Sequence, residues 1–114
     1  MVYRKLLTEI GMGIDLIGGD VHESIRRAIN DIVHRVCIMY FREKGISFRE
    51  VKLIVDIFTP FPNIVDREKV VEMLPVKPGK LVINMYKGGA LVKGIEDIIV
   101  SIVAITILIP NDEA

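Results

Sequence analysis

A chain of 114 residues is one domain's worth of polypeptide, long enough to bury about two thirds of its unfolded surface and too short for two independent cores. Just over half of it is apolar and little of that is aromatic, so Ile, Val and Leu must build the core, a bias toward strands. Fifteen Lys and Arg balance fifteen Asp and Glu, with no run of five like charges and no basic amphipathic face, which argues against nucleic acid as a partner and against a membrane-surface helix.

Residues 2 to 10 read as a first strand. Met1-Val2-Tyr3-Arg4-Lys5 is not followed by an apolar segment and cleavage site, so no signal peptide is expected and the cytoplasm is the expected compartment. Gly11 and Gly13 are expected to stop the strand, leaving a loop from Gly11 to Gly19. A long helix then begins at Asp20, whose carboxylate caps the first turn while Glu23 reaches back as a capping box. Val21, Ile25, Ala28, Ile29, Ile32, Val36, Cys37 and Tyr40 recur at spacings of three and four, an apolar stripe to lay on a sheet. Cys37, the only cysteine, reads as a small buried apolar residue. Ile38, Met39 and Phe41 spread apolar surface further round the helix, as a subunit contact would need, and Gly45 is the expected stop.

Val51, Leu53, Val55 and Ile57 alternate with Lys52, Ile54, Asp56 and Phe58 in a second strand, ended by Pro60 and Pro62. A short helix from about Asp66 turns Val70, Val71 and Leu74 inward and stops at Pro75. Lys77-Pro78-Gly79-Lys80 has the sequence of a type II turn leading into a third strand, Leu81 to Tyr86, which Gly88-Gly89 interrupts. The last strand runs from about Asp97 to Ile109; this β-branched run is too short to span a membrane as a helix and reads as a buried strand. The chain has no Gln and is rich in Ile, Lys, Arg and Glu, a heat-adapted composition.

The expected fold is thus α/β, in the α+β sense: β-α-β-α-β-β, a mixed four-stranded sheet with both helices on one face, parallel neighbours across each β-α-β unit and an antiparallel final pair. Helices on one side cover only one sheet face. The last strand is apolar on both, with Ile98, Val100, Ile102, Ala104 and Leu108 one way and Ile99, Val103, Ile105, Ile107 and Ile109 the other. At about 1.5–3 kcal/mol for each buried aliphatic side chain, leaving one set in water would cost much of a domain's stability of about 5–15 kcal/mol, so a homo-oligomer is expected.

Chemistry is expected in Glu9–Asp20 and the helical turns that follow. Gly11, Gly13, Gly18 and Gly19 let backbone approach a ligand, and Asp20, Ser24 and Arg26 sit at a helix start suited to an anion. The Gly11-Met12-Gly13 fragment is no dinucleotide fingerprint, because the third glycine would fall at Leu16 and the helix starts too late. Glu9 and Asp15 are candidate acid–base groups and His22 a candidate proton shuttle. Glu9, Asp15 and Asp20 also suit a hard cation, though the same acids serve equally as cap, turn former and surface charge, so no metal is assigned. Lys87, leaving a strand beside Gly88 and Gly89, is the last candidate, for a substrate carboxylate or as a base. No Ser-His-Asp or Cys-His set can be assembled, and no cofactor is implied.

The string Glu9-Ile10-Gly11-Met12-Gly13-Ile14-Asp15-Leu16-Ile17-Gly18-Gly19-Asp20 resembles the N-terminal signature of a family of conserved bacterial and archaeal proteins without an established activity. That resemblance implies a histidine where this chain has Ile17, which removes an acid–base group from that position. The element order is similar to that of chorismate-mutase-like and small deaminase-like trimers, which implies a trimer with its sheets around a central core and ligands in clefts between subunits. Three functions stay open. One is an oligomer, most simply a trimer, that binds a small polar or anionic metabolite between subunits, as a hydrolase, deaminase or isomerase; another is a non-enzymatic assembly protein whose glycines and acids only shape the chain. The third is one subunit of a larger hetero-complex, which Ile38, Met39 and Phe41 would permit.

Overall fold

The computed structural model describes residues 2–16, 20–34 and 44–111. In chain order these form β1 (Tyr3–Asp15), α1 (Val21–Val33), β2 (Lys52–Thr59), α2 (Arg67–Met73), β3 (Lys80–Lys87), β4 (Ala90–Val92) and β5 (Ile98–Pro110), with 3-10 turns at Phe48–Glu50 and Pro62–Ile64. The mixed α+β class is as expected. Among the described residues no helix is long and apolar enough to cross a membrane.

The sheet has five strands, in the order β1-β5-β2-β3, with β4 pairing β5 in line with the end of β2. β5, thirteen residues long, is the spine: β1, β2 and β4 all run antiparallel to it. The β2-α2-β3 unit gives the expected parallel neighbours. The β1-α1-β2 unit does not, because β5 lies between its two strands; a run apolar on both faces occupies the most enclosed place in the sheet. Nor does β3 pair with β5. At Gly88–Gly89 the chain steps across from the line of β3 to that of β2 and forms the short β4, an element absent from the expected four-stranded sheet. Gly89 takes φ +65°, and a Cβ there would lie 2.1 Å from the Val100 carbonyl oxygen.

β1 also runs further than expected, through Gly11 and Gly13 to Asp15, where a loop was read. The two glycines lie beneath α1: a Cβ on Gly11 would fall 2.3 Å from the Ala28 carbonyl oxygen, and one on Gly13 1.9 Å from that of Ser24. They let the helix backbone lie on the strand rather than break it. Gly79 also differs from expectation. It lacks the positive φ that a type II turn demands, and is glycine because a Cβ would sit 1.9 Å from the Arg49 carbonyl oxygen.

Both helices pack on one face. Val21, Ile25, Ala28, Ile29 and Ile32 of α1 and Val70 and Met73 of α2 meet Leu53, Val55, Ile57, Ile99, Val103, Ile105, Ile107 and Ile109 in the core. The strict alternation of burial along β2 and β5 follows from the pleat. On the other face stand Ile10, Met12 and Ile14 of β1, the even-numbered residues of β5, and Phe58 stacked on Tyr86 at 5.1 Å between ring centroids. Among the described residues no element covers them; Ile10 is 59% exposed and Met12 53%. The expected continuation of α1 through Tyr40, with Cys37, Ile38, Met39 and Phe41, lies outside the described residues, as do Gly18 and Gly19.

Candidate functional site

The segment from Asp15 to Arg27 is where sequence reasoning placed the chemistry. Asp20 is the N-cap of α1, its Oδ1 accepting from the backbone N–H of His22 at 2.9 Å and of Glu23 at 3.4 Å. The reciprocal half of the capping box is filled differently. The Asp20 N–H donates to Asp15 Oδ2 at 2.7 Å, while Glu23 turns along the helix to Arg26 (3.3 Å) and Arg27 (3.4 Å). Asp15 is 6% exposed, at the end of β1, and its other oxygen faces Arg27 at 3.6 Å. Its carboxylate therefore ties the loop between β1 and α1 at both ends.

His22 is occupied as well. Its Nε2 accepts the Asp66 N–H at 2.9 Å, which places the ring proton on Nδ1 in the neutral imidazole and joins the start of α1 to the N-cap of α2. Ser24 is fully buried. Its hydroxyl donates to the Val21 carbonyl at 2.7 Å and lies 2.7 Å from Ser101 Oγ, which is 3.0 Å from Thr59 Oγ1, so three hydroxyls link α1, β5 and β2 inside the core. Among the described residues every buried side-chain nitrogen and oxygen has a partner.

The structure brings together only part of the expected set. Asp20, His22 and Arg26 line a recess of about 440 Å³ between the starts of the two helices, with Glu23, Lys69 and Glu72. Lys69 and Glu72 were not anticipated, because their meeting with α1 depends on how α2 docks. Glu9 stands six residues before Asp15 on the same extended strand, about 20 Å away, so the acids form no cluster. Lys87, level with Thr59 at the far edge of the sheet, is about 14 Å from Gly13 across three strand spacings. Gly88 donates its N–H to the Thr59 carbonyl at 3.0 Å and, with Gly89, serves the step between strands. Among the described residues no three His, Cys, Asp or Glu are grouped to hold a metal ion.

Arg27 and Asp31, also missed, share a task. Arg27 Nη1 donates to the Ile14 carbonyl at 2.5 Å and Asp31 accepts the Met12 N–H at 3.2 Å, so α1 satisfies backbone groups on the outer edge of β1. Arg67 of α2 reaches the Ile83 carbonyl of β3 at 3.5 Å, at the opposite edge. Spacing alone could have shown that Arg27 and Asp31 share a helix face, but not that a strand edge lay beneath it.

Residues 5–107 match the conserved hypothetical protein family Lin0512 (Lin0512_fam), which takes in nearly the whole sheet and both helices. The chain belongs to the Lin0512 family. Among solved structures it is similar to a protein from Nostoc punctiforme described as an FtsZ-like protein of unknown function, with a TM-score of 0.82, 26% identity, and coverage of 97% of this chain and 99% of that one. Among curated proteins the chain finds no match. Neither the Lin0512 match nor the structural likeness assigns an activity, so the site is read from its own geometry.

Proposed function

We propose that this Lin0512 protein works as a homo-oligomeric assembly protein in which the open sheet face of each copy is covered by another. The observation that carries the reading is that face itself: Ile10, Met12, Ile14, Ile102, Phe58 and Tyr86 form an apolar surface with no cover among the described residues. Strands rise about 3.3 Å per residue and lie about 4.8 Å apart, so the face spans on the order of 700 Å², close to the roughly 800 Å² each partner gives to a stable interface. A second copy is the occupant that fits. The row Met12, Ile102, Phe58 and Tyr86 carries no charge to select an unlike partner, and side chains from α1 and α2 occupy backbone groups on both sheet edges, which disfavours growth by strand addition. Three copies is the number implied by the likeness in element order to chorismate-mutase-like trimers.

The non-enzymatic part of the reading rests on the uses already found for the candidate groups. Asp15 closes a loop, Asp20 caps, His22 accepts a backbone N–H, Ser24 is buried, and Gly11 and Gly13 make room for a helix. One observation favours a second reading: the recess that gathers Asp20, His22, Glu23, Arg26, Lys69 and Glu72 has the mixed charge to hold a small polar metabolite.

Native mass spectrometry of the purified protein at about 10 µM tests assembly. A trimer or a multiple of it is expected, with Met12→Glu and Tyr86→Lys each shifting the population to folded monomer, since a charge buried in an apolar interface weakens association by more than about 100-fold. A wild-type monomer would refute the proposal, and a retained small molecule lost on Arg26→Ala would favour the second reading.

A further inference from the structure

The chain has no net charge, yet its charges are not evenly spread. At the end of the sheet where β1 begins and β5 finishes, Tyr3, Arg4, Lys44, Arg49 and Lys80 line a cleft of about 840 Å³, with Glu50 its one carboxylate among the described residues. We infer that this cleft is a binding site for a phosphorylated small molecule, with Arg4, Arg49 and Lys80 gripping its phosphoryl group.

The cations are brought here by backbone architecture. Arg4 lies opposite Ile109 in the β1–β5 ladder. Arg49 belongs to the 3-10 turn before β2, and Gly79, lacking a Cβ, brings the approach to β3 against the Arg49 carbonyl, where its N–H donates to Phe48 O at 3.1 Å. Lys52 and Lys80 are direct neighbours in the parallel β2–β3 pair, and their ammonium groups stand 5.8 and 5.5 Å from the centroid of the same Tyr3 ring.

Two like charges side by side on adjacent strands repel, and the ring offsets only part of this. Among the described residues no ion pair involves Arg4, Arg49, Lys52 or Lys80. A multiply charged anion is the group that relieves such an arrangement. Guanidinium groups offer paired donors to phosphate oxygens and an ammonium adds a point charge, a combination suited to a phosphoryl group more than to a single carboxylate. The volume exceeds what bare phosphate needs and falls within the range of small-molecule pockets, roughly 300–1,000 Å³, while Ile109 and the Tyr3 ring offer apolar contact to the organic part. Tyr3 and Lys80 lie on the open face, at the opposite end from Met12 and Ile14.

Isothermal titration of the purified protein with inorganic pyrophosphate and with ribose 5-phosphate, at low and at physiological salt, tests the assignment. Both are expected to bind, ribose itself at least 100-fold more weakly, with Arg49→Ala and Lys80→Ala each lowering affinity 10-fold or more and Lys87→Ala, at the other end of β3, leaving it unchanged. Arg49 and Lys80 are exposed, and unchanged circular dichroism and melting of both variants separates loss of binding from loss of fold. No binding of either probe at 1 mM, equal binding of ribose, indifference to both substitutions, or tight binding of a single-stranded oligonucleotide with none of the small phosphates would each overturn it.

Discussion

Replacing Gly13 by Ala discriminates sharply between a glycine kept for a ligand and one kept for a helix. The added Cβ would lie 1.9 Å from the Ser24 carbonyl oxygen and 2.5 Å from the Ala28 nitrogen, both backbone atoms that no rotamer change can move. Carbon meets a carbonyl oxygen at about 3.3 Å, so α1 must lift by about 1.4 Å. That displacement would stretch the 2.7 Å contact between Ser24 and Ser101 beyond hydrogen-bonding range in a fully buried site. Overpacking of this kind costs about 1–3 kcal/mol and loss of the Ser24–Ser101 hydrogen bond about 0.5–1.5 more, since Ser24 keeps the Val21 carbonyl and Ser101 keeps Thr59. With about 4–8 °C of melting temperature per kcal/mol in a domain of this size, Gly13→Ala should melt at least about 6 °C below wild type. The assay is thermal denaturation followed by circular dichroism, at one protein concentration because the proposed assembly would add to stability. Two glycines calibrate it. Gly45 has φ +66° and nothing within 4 Å of where a Cβ would stand, so Gly45→Ala carries only the left-handed backbone cost of about 1–2 kcal/mol. Gly94 has its nearest atom at 3.4 Å and no positive φ, so Gly94→Ala should be neutral or stabilise by about 0.4–1 kcal/mol. A Gly13→Ala protein melting within about 3 °C of wild type would refute the packing account and return the glycine to the ligand.

The hydroxyl link makes a second expectation: Ser101→Ala should cost about 1–3 kcal/mol in urea denaturation, and a double-mutant cycle with Ser24→Ala should show coupling above about 0.5 kcal/mol. Asp15→Ala removes the acceptor of the Asp20 N–H and the partner of Arg27, for a loss of about 1–3 kcal/mol, whereas Asp15→Asn keeps a carbonyl acceptor and should lose less than half of that. His22→Ala deprives the Asp66 N–H of its acceptor, so hydrogen exchange should quicken across α2 while the β5 amides stay protected; unchanged exchange in α2 would show the link to be unimportant.

How much of this was legible depends on whether the signal was local. Alternation along Val51–Phe58 placed β2, and Asp20 and Asp66 marked both helix starts, because a cap needs only its own next turn. The chain could not show that Gly11 and Gly13 continue a strand: a glycine that breaks a strand and one that admits a helix are spelled alike, and the difference lies in Ala28 and Ser24 across the gap. Pro78-Gly79 misled in the same way, since its glycine answers to Arg49 rather than to a turn. The acid cluster failed with the loop. Once β1 is extended to Asp15, Glu9 is carried away from it at the pitch of a strand. The basic cleft was invisible because its cations come from three separated stretches, none of them charged enough to draw notice alone.

The position of β5 explains why the fold leaves a face open. A spine of thirteen residues, flanked by β1 of equal length, sets a long sheet, and the helices described cover it from one side only. The molecule measures 55 × 25 × 19 Å with a radius of gyration of 15.2 Å, against about 13 Å for a compact domain of this length. An elongated two-layer shape is a poor way for an isolated chain to hide apolar surface, and adding side-chain bulk to the core face would not improve it. What lowers the exposed area is a layer on the other face. Ile98, Val100, Ile102 and Thr106 on the even-numbered side of β5, where a solvated strand would alternate with charge, are what the proposed cover by a second copy requires.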